Sequence, residues 1–583
     1  MNTAVAEREV VVPPTPDGDR RGRRIAGRLA RILGTVGPPM LGALPFIVLF
    51  SALLAERPRI TAYGDRAVTA LAMRDLVHGS QLLGAYSRYG WHHPGPAFFL
   101  PLTAAQTALG GASWALDAGM LLAAAVPAGV VVAVVGHRFG WRSALVMAGA
   151  VGIYLHAIAP VTLRDPWNPW GLLLPMALLI VLCAGAGGGS VPSLSGAVLV
   201  TTLLVQTHVG SAPLSVALLA MGAALMAWAR RGDPEPMHWG RVSVIAPLVA
   251  AAALWVPPLV QQATGRDPNL SELWRFFIQG DPGHSLSTAV STVGSRLRLI
   301  PFGDQAGLMA SSPSVGWDRA WSGLATLMGY TAAGLAVAAI GHRAHNRFTR
   351  AAGLLTVGAV WASVIAVRSV QGPLDGFLVA WITAIPLGLA AGLAALISSH
   401  TPHPDRWRPR TLASTAGVLA LAAVGTTLAT SAAAAAPPAA SEDAPMVRDA
   451  WGQLAPHLGP RPGAVLLRVD DPYGWPVQAG LVLLIEQHGW HAHVTDDWAF
   501  MFGPTRRMTG DEPIVATLRA VTPKGPDETL TLDVSETFPA QSAEDLDAVS
   551  ARMATILGGS VLFPAALPSP GLPAPGLPFP PRQ

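Results

Sequence analysis

The segment from Ala62 to Pro96, AYGDRAVTALAMRDLVHGSQLLGAYSRYGWHHPGP, concentrates groups that can do acid–base or phosphate chemistry. Asp65 stands near its beginning, where a carboxylate at the mouth of a partly dehydrated cleft could take a proton from a hydroxyl group. The alternative is that Asp65 caps the helix that follows, because the free N–H groups of a helix start favour a carboxylate. The residues alone leave both interpretations open.

The end of this segment, YSRYGWHHPGP, is polar, aromatic and stiffened by the prolines at 94 and 96. Arg88, His92 and His93 could contact a phosphate, for which arginine offers a bidentate fork. The alternative for the two histidines is that they solvate an interfacial loop. The aromatic residues either line a site or form a belt at the lipid headgroups; they are Tyr86, Tyr89 and Trp91.

Similar polar groups recur at the ends of later apolar runs. LRDPWNPW contains Arg164 and Asp165, which form either a structural ion pair or part of a site. VQTHVG contains Gln206 and His208. These two residues either have their hydrogen bonds satisfied within the protein or form a ligand site, and the sequence does not favour the ligand site. PPLVQQATGRDPNLSELWRFF adds further amide and charged groups.

These residues need a membrane scaffold to position them. Hydrophobic residues make up 51% of the 583-residue chain and charged residues only 13%, whereas soluble proteins carry about 25% charged residues. The composition therefore predicts a polytopic membrane protein. Cys183 is the only cysteine and lies in an apolar run, which excludes an intramolecular disulfide and a cysteine metal cluster.

Charge is divided unevenly along the chain. From Ser441 onward there are 17 acidic and 9 basic residues, and before it 18 acidic and 30 basic ones. A basic membrane part with an acidic appendage favours loops that face an anionic cytoplasmic leaflet and a tail that faces the other side. It does not favour a nucleic-acid partner.

Apolar runs predict eleven membrane crossings, each about 17 to 25 residues long. They lie near 40–55, 114–136, 143–162, 170–186, 191–208, 211–229, 243–260, 321–341, 351–368, 377–397 and 411–434. The run 97–110 is shorter and contains Pro101, so we expect it to lie at the interface. With that choice four arginine-bearing linkers fall on the cytoplasmic side, as the positive-inside rule requires, with the N-terminus inside and the C-terminus outside.

This topology divides the chain into five regions. They are a basic, Pro-rich cytoplasmic tail (1–36), a membrane domain (37–434), a linker (435–444), an extracytoplasmic α/β domain (445–556) and a Pro-rich tail (557–583). The outer loops are 56–113, 162–170, 261–320 and 367–377. In the first of them Val68, Leu71 and Leu76 follow helical spacing, which predicts a helix along the membrane surface. AVLLRVDD, PVQAGLVLLIEQHG and WHAHVTDD predict a strand, a helix and a strand.

The motif order resembles that of the GT-C superfamily of membrane glycosyltransferases. These include the protein O-mannosyltransferases, the aminoarabinose transferases and the actinobacterial arabinofuranosyltransferases. GDRA places Asp65 at the position of the family's first-loop catalytic acid, HHPGP places His93 at its second motif, and RDP places Asp165 at its second-loop acid. Arg66 stands where many members have a second acid, and Gly95 separates the paired prolines, which puts metal-dependent versions of the mechanism in doubt.

The resemblance implies an inverting enzyme of the plasma membrane that transfers a hexosyl or pentosyl group from a polyprenyl-phosphate donor. The acceptor would be an envelope glycan, lipid or protein on the outer side. Asp65 or Asp165 would be catalytic, no cofactor is implied, and a divalent metal stays open. The groups expected to bind substrate or phosphate are Arg66, Arg88, His92, His93, Arg164 and His208.

Two other functions compete with this one. A transporter or flippase would carry ionisable residues within its spans or show an internal repeat, and Asp117 is the main charged residue found there. A catalytically silent assembly protein on the same scaffold would bind a partner through its outer domain. Three tryptophans of that domain either hold a glycan or serve packing; they are Trp475, Trp490 and Trp498.

Overall fold

The computed structural model is mainly helical. It describes residues 16–158, 160–231, 241–265, 267–280, 283–302, 308–399, 444–470, 474–510, 512–519 and 531–535. Within these ranges nine helices are long and apolar enough to cross a membrane. The chain is therefore a polytopic helical membrane protein, as its composition predicts.

The helices up to residue 399 carry the membrane part. They are α1 (Pro16–Glu56), α2 (Gly64–Val77), α3 (Phe99–Ala108), α4 (Ala115–Phe139), α5 (Trp141–Ile158), α6 (Leu173–Gly187), α7 (Val191–Thr207), α8 (Ala212–Arg230), α9 (Val242–Thr264), α10 (Asn269–Gln279), α11 (Leu286–Phe302), α12 (Trp317–Arg343), α13 (Arg347–Arg368) and α14 (Pro386–Ser399). A 3-10 segment, Gly376–Ala384, leads into α14 and completes one apolar crossing.

Ten of the eleven predicted crossings coincide with helical segments. Nine have the length and apolarity of a membrane span, and the tenth, α7, is apolar but only 17 residues long. The eleventh predicted run, 411–434, lies outside the described residues. Helix α3 has ten residues, about 15 Å at 1.5 Å per residue, so it is too short to cross a bilayer. The number of crossings and their orientation remain predictions.

Helix α6 is the centre of the bundle. Every residue of it except Pro175 is buried, because its sequence, LLPMALLIVLCAGAG, is apolar on all sides. It packs against α4, α7, α8 and α13. By contrast α9 and α12 bury little of their apolar surface against the protein, as expected of helices that face lipid.

The loop predicted at 261–320 contains two helices that a search for long apolar runs does not find. Helix α10 is short and has its apolar residues along one broad face, and α11 is rich in Ser and Thr. Helix α11 packs against α12 with close backbone contact, since a Cβ on Gly294 would meet the backbone of Gly323. The described residues of this segment are thus largely helical, and α11 packs against α12 and α13.

The C-terminal region contains a small α/β unit. Its elements are α15 (Pro445–Leu454), β1 (Ala464–Val469), α16 (Trp475–Gln487), β2 (His491–Val494), α17 (Asp496–Phe502), β3 (Ile514–Arg519) and β4 (Thr531–Ser535). The sheet order is β2-β1-β3-β4, with β1 parallel to both neighbours and β4 antiparallel to β3. The strand–helix–strand order expected from the sequence is present. Trp475 and Trp498 are buried in its core, and Trp490 packs against that core.

Helix α2 belongs to two hydrophobic cores at once. Ala67, Val68 and Leu71 are buried in the core of the α/β unit, whereas Met73 packs into the core of the membrane bundle. The helix expected in this loop is present, and the α/β unit covers its apolar face; its position along the membrane surface stays a prediction. The segment that carries Asp65 is held from both sides.

Candidate active site

A cavity of about 440 Å³ lies where the connecting segments meet the α/β unit. All four segments predicted as outer loops contribute to its wall, and so do the start of α8 and the end of α17. Most of its lining is aromatic or apolar. The polar and charged side chains in the lining are Asp65, Thr69, Asp75, Gln81, Tyr86, Ser87, Arg88, Tyr89, His92, His93, Asn168, His208, Ser369 and Gln371.

Residues 84–93 form a hairpin that presents six of these side chains. Gly90 closes its turn with a φ of 86°, a conformation that glycine adopts without strain. The N–H groups of Gly84, Ser87 and His93 donate across the hairpin to the carbonyls of His93, Trp91 and Ala85 at 2.8–2.9 Å. The polar residues that are close together in this part of the sequence are therefore also close together in the structure, in one hairpin.

Asp65 lies in the first turn of α2 and points to the hairpin. Tyr86 Oη donates a hydrogen bond to Asp65 Oδ1 at 2.7 Å. Burial raises the pKa of Asp65 to about 6, although the hydrogen bond from Tyr86 lowers it in part. A carboxyl group with a pKa near neutrality is suited to proton transfer.

The capping interpretation of Asp65 is corrected by this geometry. Tyr63 occupies the N-cap position of α2 and makes no side-chain capping bond. Asp65 instead bonds to a hairpin 21 residues further along the chain. Tyr86 is itself fixed by edge-on contacts with Trp475 and Phe500 of the α/β unit, at centroid distances of 6.4 and 6.1 Å.

His93 and His208 lie side by side in the cavity wall, with ring centroids 4.4 Å apart. His93 Nδ1 accepts the N–H of Val209, and His208 Nδ1 accepts the N–H of Gly210, both at 3.2 Å. A ring nitrogen that accepts carries no proton, so in each neutral ring Nε2 is the donor. Burial lowers the pKa of His208 to about 4 and the pKa of His93 well below its usual value. Both rings are neutral donors near pH 7.

His92 connects three parts of the molecule. The Asn269 side chain accepts the His92 N–H at 2.8 Å and donates to the His92 carbonyl at 2.9 Å. Burial lowers the pKa of the His92 ring to about 4, and a hydrogen bond to the backbone of Phe500 opposes this shift. His92 therefore ties the hairpin to α10 and to α17.

Arg88 supplies the positive charge of the cavity wall. Its Nη1 donates to Asp375 Oδ2 at 2.9 Å, and its Nη2 donates to the Pro373 carbonyl at 3.3 Å. Asp375 is buried and also accepts the Ser311 hydroxyl at 2.6 Å. These contacts fix the guanidinium in the cavity wall.

Three predicted site residues do not line the cavity in the part of the chain that the structure describes. Arg66, expected to bind substrate, forms a buried ion pair with Asp117 of α4. Asp165 accepts the Trp170 indole N–H at 3.0 Å, and Arg164 beside it is buried. Of the two candidate acids, Asp65 lines the cavity together with Arg88, and Asp165 does not.

The sequence patterns did not reveal several partners of the site. Asp375 and Asn269 are single polar residues at the starts of helical segments. The sequence around each of them does not predict which distant residue it contacts. Met501, Phe502 and Gly503 of the α/β unit also line the cavity. The one signal for α10 in the sequence is the group of amide side chains near Gln261. The side chains of Gln261 and Gln262 accept hydrogen bonds from the first two N–H groups of that helix.

The described residues contain no group of three or more His, Cys, Asp or Glu side chains placed to hold a metal ion.

Gly95, which separates the two prolines, has a steric role. A Cβ at this position would lie 2.6 Å from Cδ of Gln206, which is fully buried and donates to the Leu254 carbonyl at 2.8 Å. We expect Gly95→Ala to destabilise the fold by about 1–3 kcal/mol, as overpacking usually does. The thermal unfolding midpoint in detergent measures this effect. Gly452→Ala is the control, since nothing lies within 4 Å of a Cβ there; an equal midpoint for both variants would contradict the steric role.

Comparison with known proteins gives the chain no assignment. No family model matches its sequence. No curated protein matches it either.

Proposed function

We propose that the cavity is the active site of a membrane glycosyltransferase that moves a sugar from a polyprenyl phosphate to a hydroxyl group of a cell-envelope acceptor. The observation that carries the proposal is Asp65, a cavity carboxylate with a pKa near 6 that is held by Tyr86. The GT-C-like motif order puts the catalytic acid at the same residue. We further propose that the cavity faces the outer side of the plasma membrane, because Ala366 and Ser369 line it at one end of α13 while the arginine-bearing linker 341–350 meets the other end of that helix.

The proposed reaction is a single displacement. The acceptor oxygen forms a bond to the anomeric carbon while the bond from that carbon to the lipid phosphate oxygen breaks, which inverts the configuration. The hydroxyl proton passes to Asp65. Tyr86 occupies Oδ1 of Asp65, and no other donor to this carboxylate occurs among the described side chains, so Oδ2 is the proton acceptor.

The departing lipid phosphate gains negative charge as the bond breaks. Arg88 is the fixed cation in the cavity wall, and Asp375 orients it. His93 and His208 add neutral Nε2–H donors that do not compete with Asp65 for the proton. Donors fixed in advance toward a developing charge usually make the largest contribution to such catalysis.

The proposal is tested by transfer of radiolabelled sugar from a panel of polyprenyl-phosphate donors. Membranes that contain the wild-type protein should transfer label to envelope material, and membranes without the protein should not. Binding of the lipid phosphates without transfer, with every donor in the panel, would instead favour a binding or assembly protein.

The pH profile of transfer should report Asp65. A general base works only when it is deprotonated, so transfer should fall as the pH drops through about 6. Tyr86→Phe removes the hydrogen bond that lowers the pKa of Asp65, so the acid limb should move to higher pH. The measurement is kcat/KM against pH. Tyr330→Phe, which removes a hydroxyl bonded to the Leu297 carbonyl elsewhere, should leave the limb in place; identical limbs for Tyr86→Phe and wild type would contradict the assignment.

A further inference from the structure

Helix α10 presents three different environments around its axis. Leu273 is buried and Phe276 lines the cavity. Glu272 and Arg275 form an exposed ion pair at 2.7 Å on another side. On the remaining side, Trp274 is 69% exposed and Ile278 64% exposed, in the company of Phe277 at 40%. An apolar stripe beside a charged stripe is the pattern of a helix in a membrane interface.

The exposure of this stripe is not the result of a loosely held helix. The start of α10 is fixed by the two hydrogen bonds between Asn269 and the His92 backbone. Its end is fixed by Gln371, whose Nε2 donates to the Phe276 carbonyl at 2.7 Å. Phe276 also packs on Tyr89 and Trp91, with ring centroids 4.5 and 5.3 Å apart. The apolar stripe therefore faces outward permanently.

The stripe continues a surface that meets lipid. Helix α9, a candidate membrane span, ends a few residues before α10 and exposes Val256, Leu259 and Val260 in its last turns. The side chains of Gln261 and Gln262 cap the first N–H groups of α10, so the two helices form one corner. Tryptophan is the residue most typical of the headgroup level, which places Trp274 there.

We propose that α10 lies in the bilayer interface and that Phe277 marks a lateral entrance through which an isoprenoid chain reaches the cavity. Phe277 both lines the cavity and is exposed on the apolar stripe. Ala366 lines the same cavity, and the adjacent Ile365 is exposed on α13. The phosphate of the lipid would then meet Arg88 while its chain stays in the membrane. The choice of an isoprenoid chain as the lipid that enters rests on the proposed function; the interface position does not.

The interface position is tested with nitroxide labels on the full chain in phosphatidylcholine nanodiscs. Cys183 is buried, so a cysteine placed on α10 is the reactive one, and the unsubstituted chain is the labelling control. Labels at Trp274→Cys and Ile278→Cys should collide more often with oxygen than with a water-soluble nickel chelate. A label at Glu272→Cys should show the reverse order. Equal, water-like behaviour at all three positions would overturn the interface position.

The entrance is tested with a benzophenone label at Phe277→Cys and decaprenyl phosphate added to the nanodiscs. Light should cross-link this label to decaprenyl phosphate in clear excess over its share of the lipid, whereas the Ile278→Cys label should capture bulk phosphatidylcholine. Capture of phosphatidylcholine alone at both positions would overturn the entrance. Capture needs no turnover, so the entrance stands if decaprenyl phosphate is captured while no donor supports transfer, and only the proposed function then fails.

Discussion

Asp65→Asn is expected to reduce transfer by about 10²- to 10⁴-fold, the usual contribution of a positioned general base. The amide keeps the size of the side chain and can still accept the Tyr86 hydrogen bond through its oxygen. It cannot take up the proton of the acceptor hydroxyl. Since Asp65 does not cap α2, helix stability should change little. The measurement is the transfer rate in membranes with matched protein levels.

Two further variants make this result specific. Asp449→Asn changes an exposed aspartate of α15 and should leave transfer unchanged. Asp165→Asn alters the second candidate acid, which bonds to Trp170 outside the cavity lining. A collapse of transfer in Asp165→Asn, with near wild-type rates in Asp65→Asn, would move the base to Asp165.

Arg506→Met is expected to destabilise the protein by about 3–5 kcal/mol, the usual cost of removing one partner of a buried ion pair. Arg506 is buried and donates to both oxygens of Asp75 at 2.6 and 2.8 Å and to both oxygens of Glu486 at 2.6 and 2.9 Å. Without it, two carboxylates face each other between α2 and α16. The α/β unit should then separate from α2, and the cavity should lose a wall.

Hydrogen exchange is the measurement for this variant. Hydrogen exchange should become faster in α2 and α16 and stay unchanged in α6. The rate of sugar transfer should fall in the same variant. Arg507→Met is the matched control, because Arg507 is 41% exposed and pairs at 3.2 Å with Asp496, which is 65% exposed. Such an exposed pair contributes at most about 1 kcal/mol. Similar hydrogen exchange in the two variants would show that Arg506 does not hold α2 and α16 together.

The scaffold could be predicted from the sequence because a bilayer imposes a simple rule. Crossings must be apolar over their whole length, and the ten predicted runs that the structure describes are all helical. The first-loop cluster was also visible, because Arg88, His92 and His93 lie close together in the chain and a hairpin keeps them together.

The partners of these residues could not be predicted, since they are remote in sequence and ordinary in type. Arg88 pairs with Asp375 across 287 residues, and His92 with Asn269 across 177. Nothing local distinguishes Asp375 from any loop aspartate. Arg66 is the opposite case. Its charge and its place beside Asp65 in the sequence suggest a site residue, but in the structure it pairs with Asp117 of the bundle.

The shared position of α2 has a consequence for how the protein is made. Asp75 is synthesised 431 residues before Arg506, the side chain that fixes it. During translation the face of α2 that packs on the α/β unit has no partner until the strands and helices after residue 444 have emerged and folded. Contacts so distant in the chain form late, because they close a long loop. Asp65 and the cavity around it are therefore completed last, so a chain whose synthesis has not passed the α/β unit lacks the proposed site.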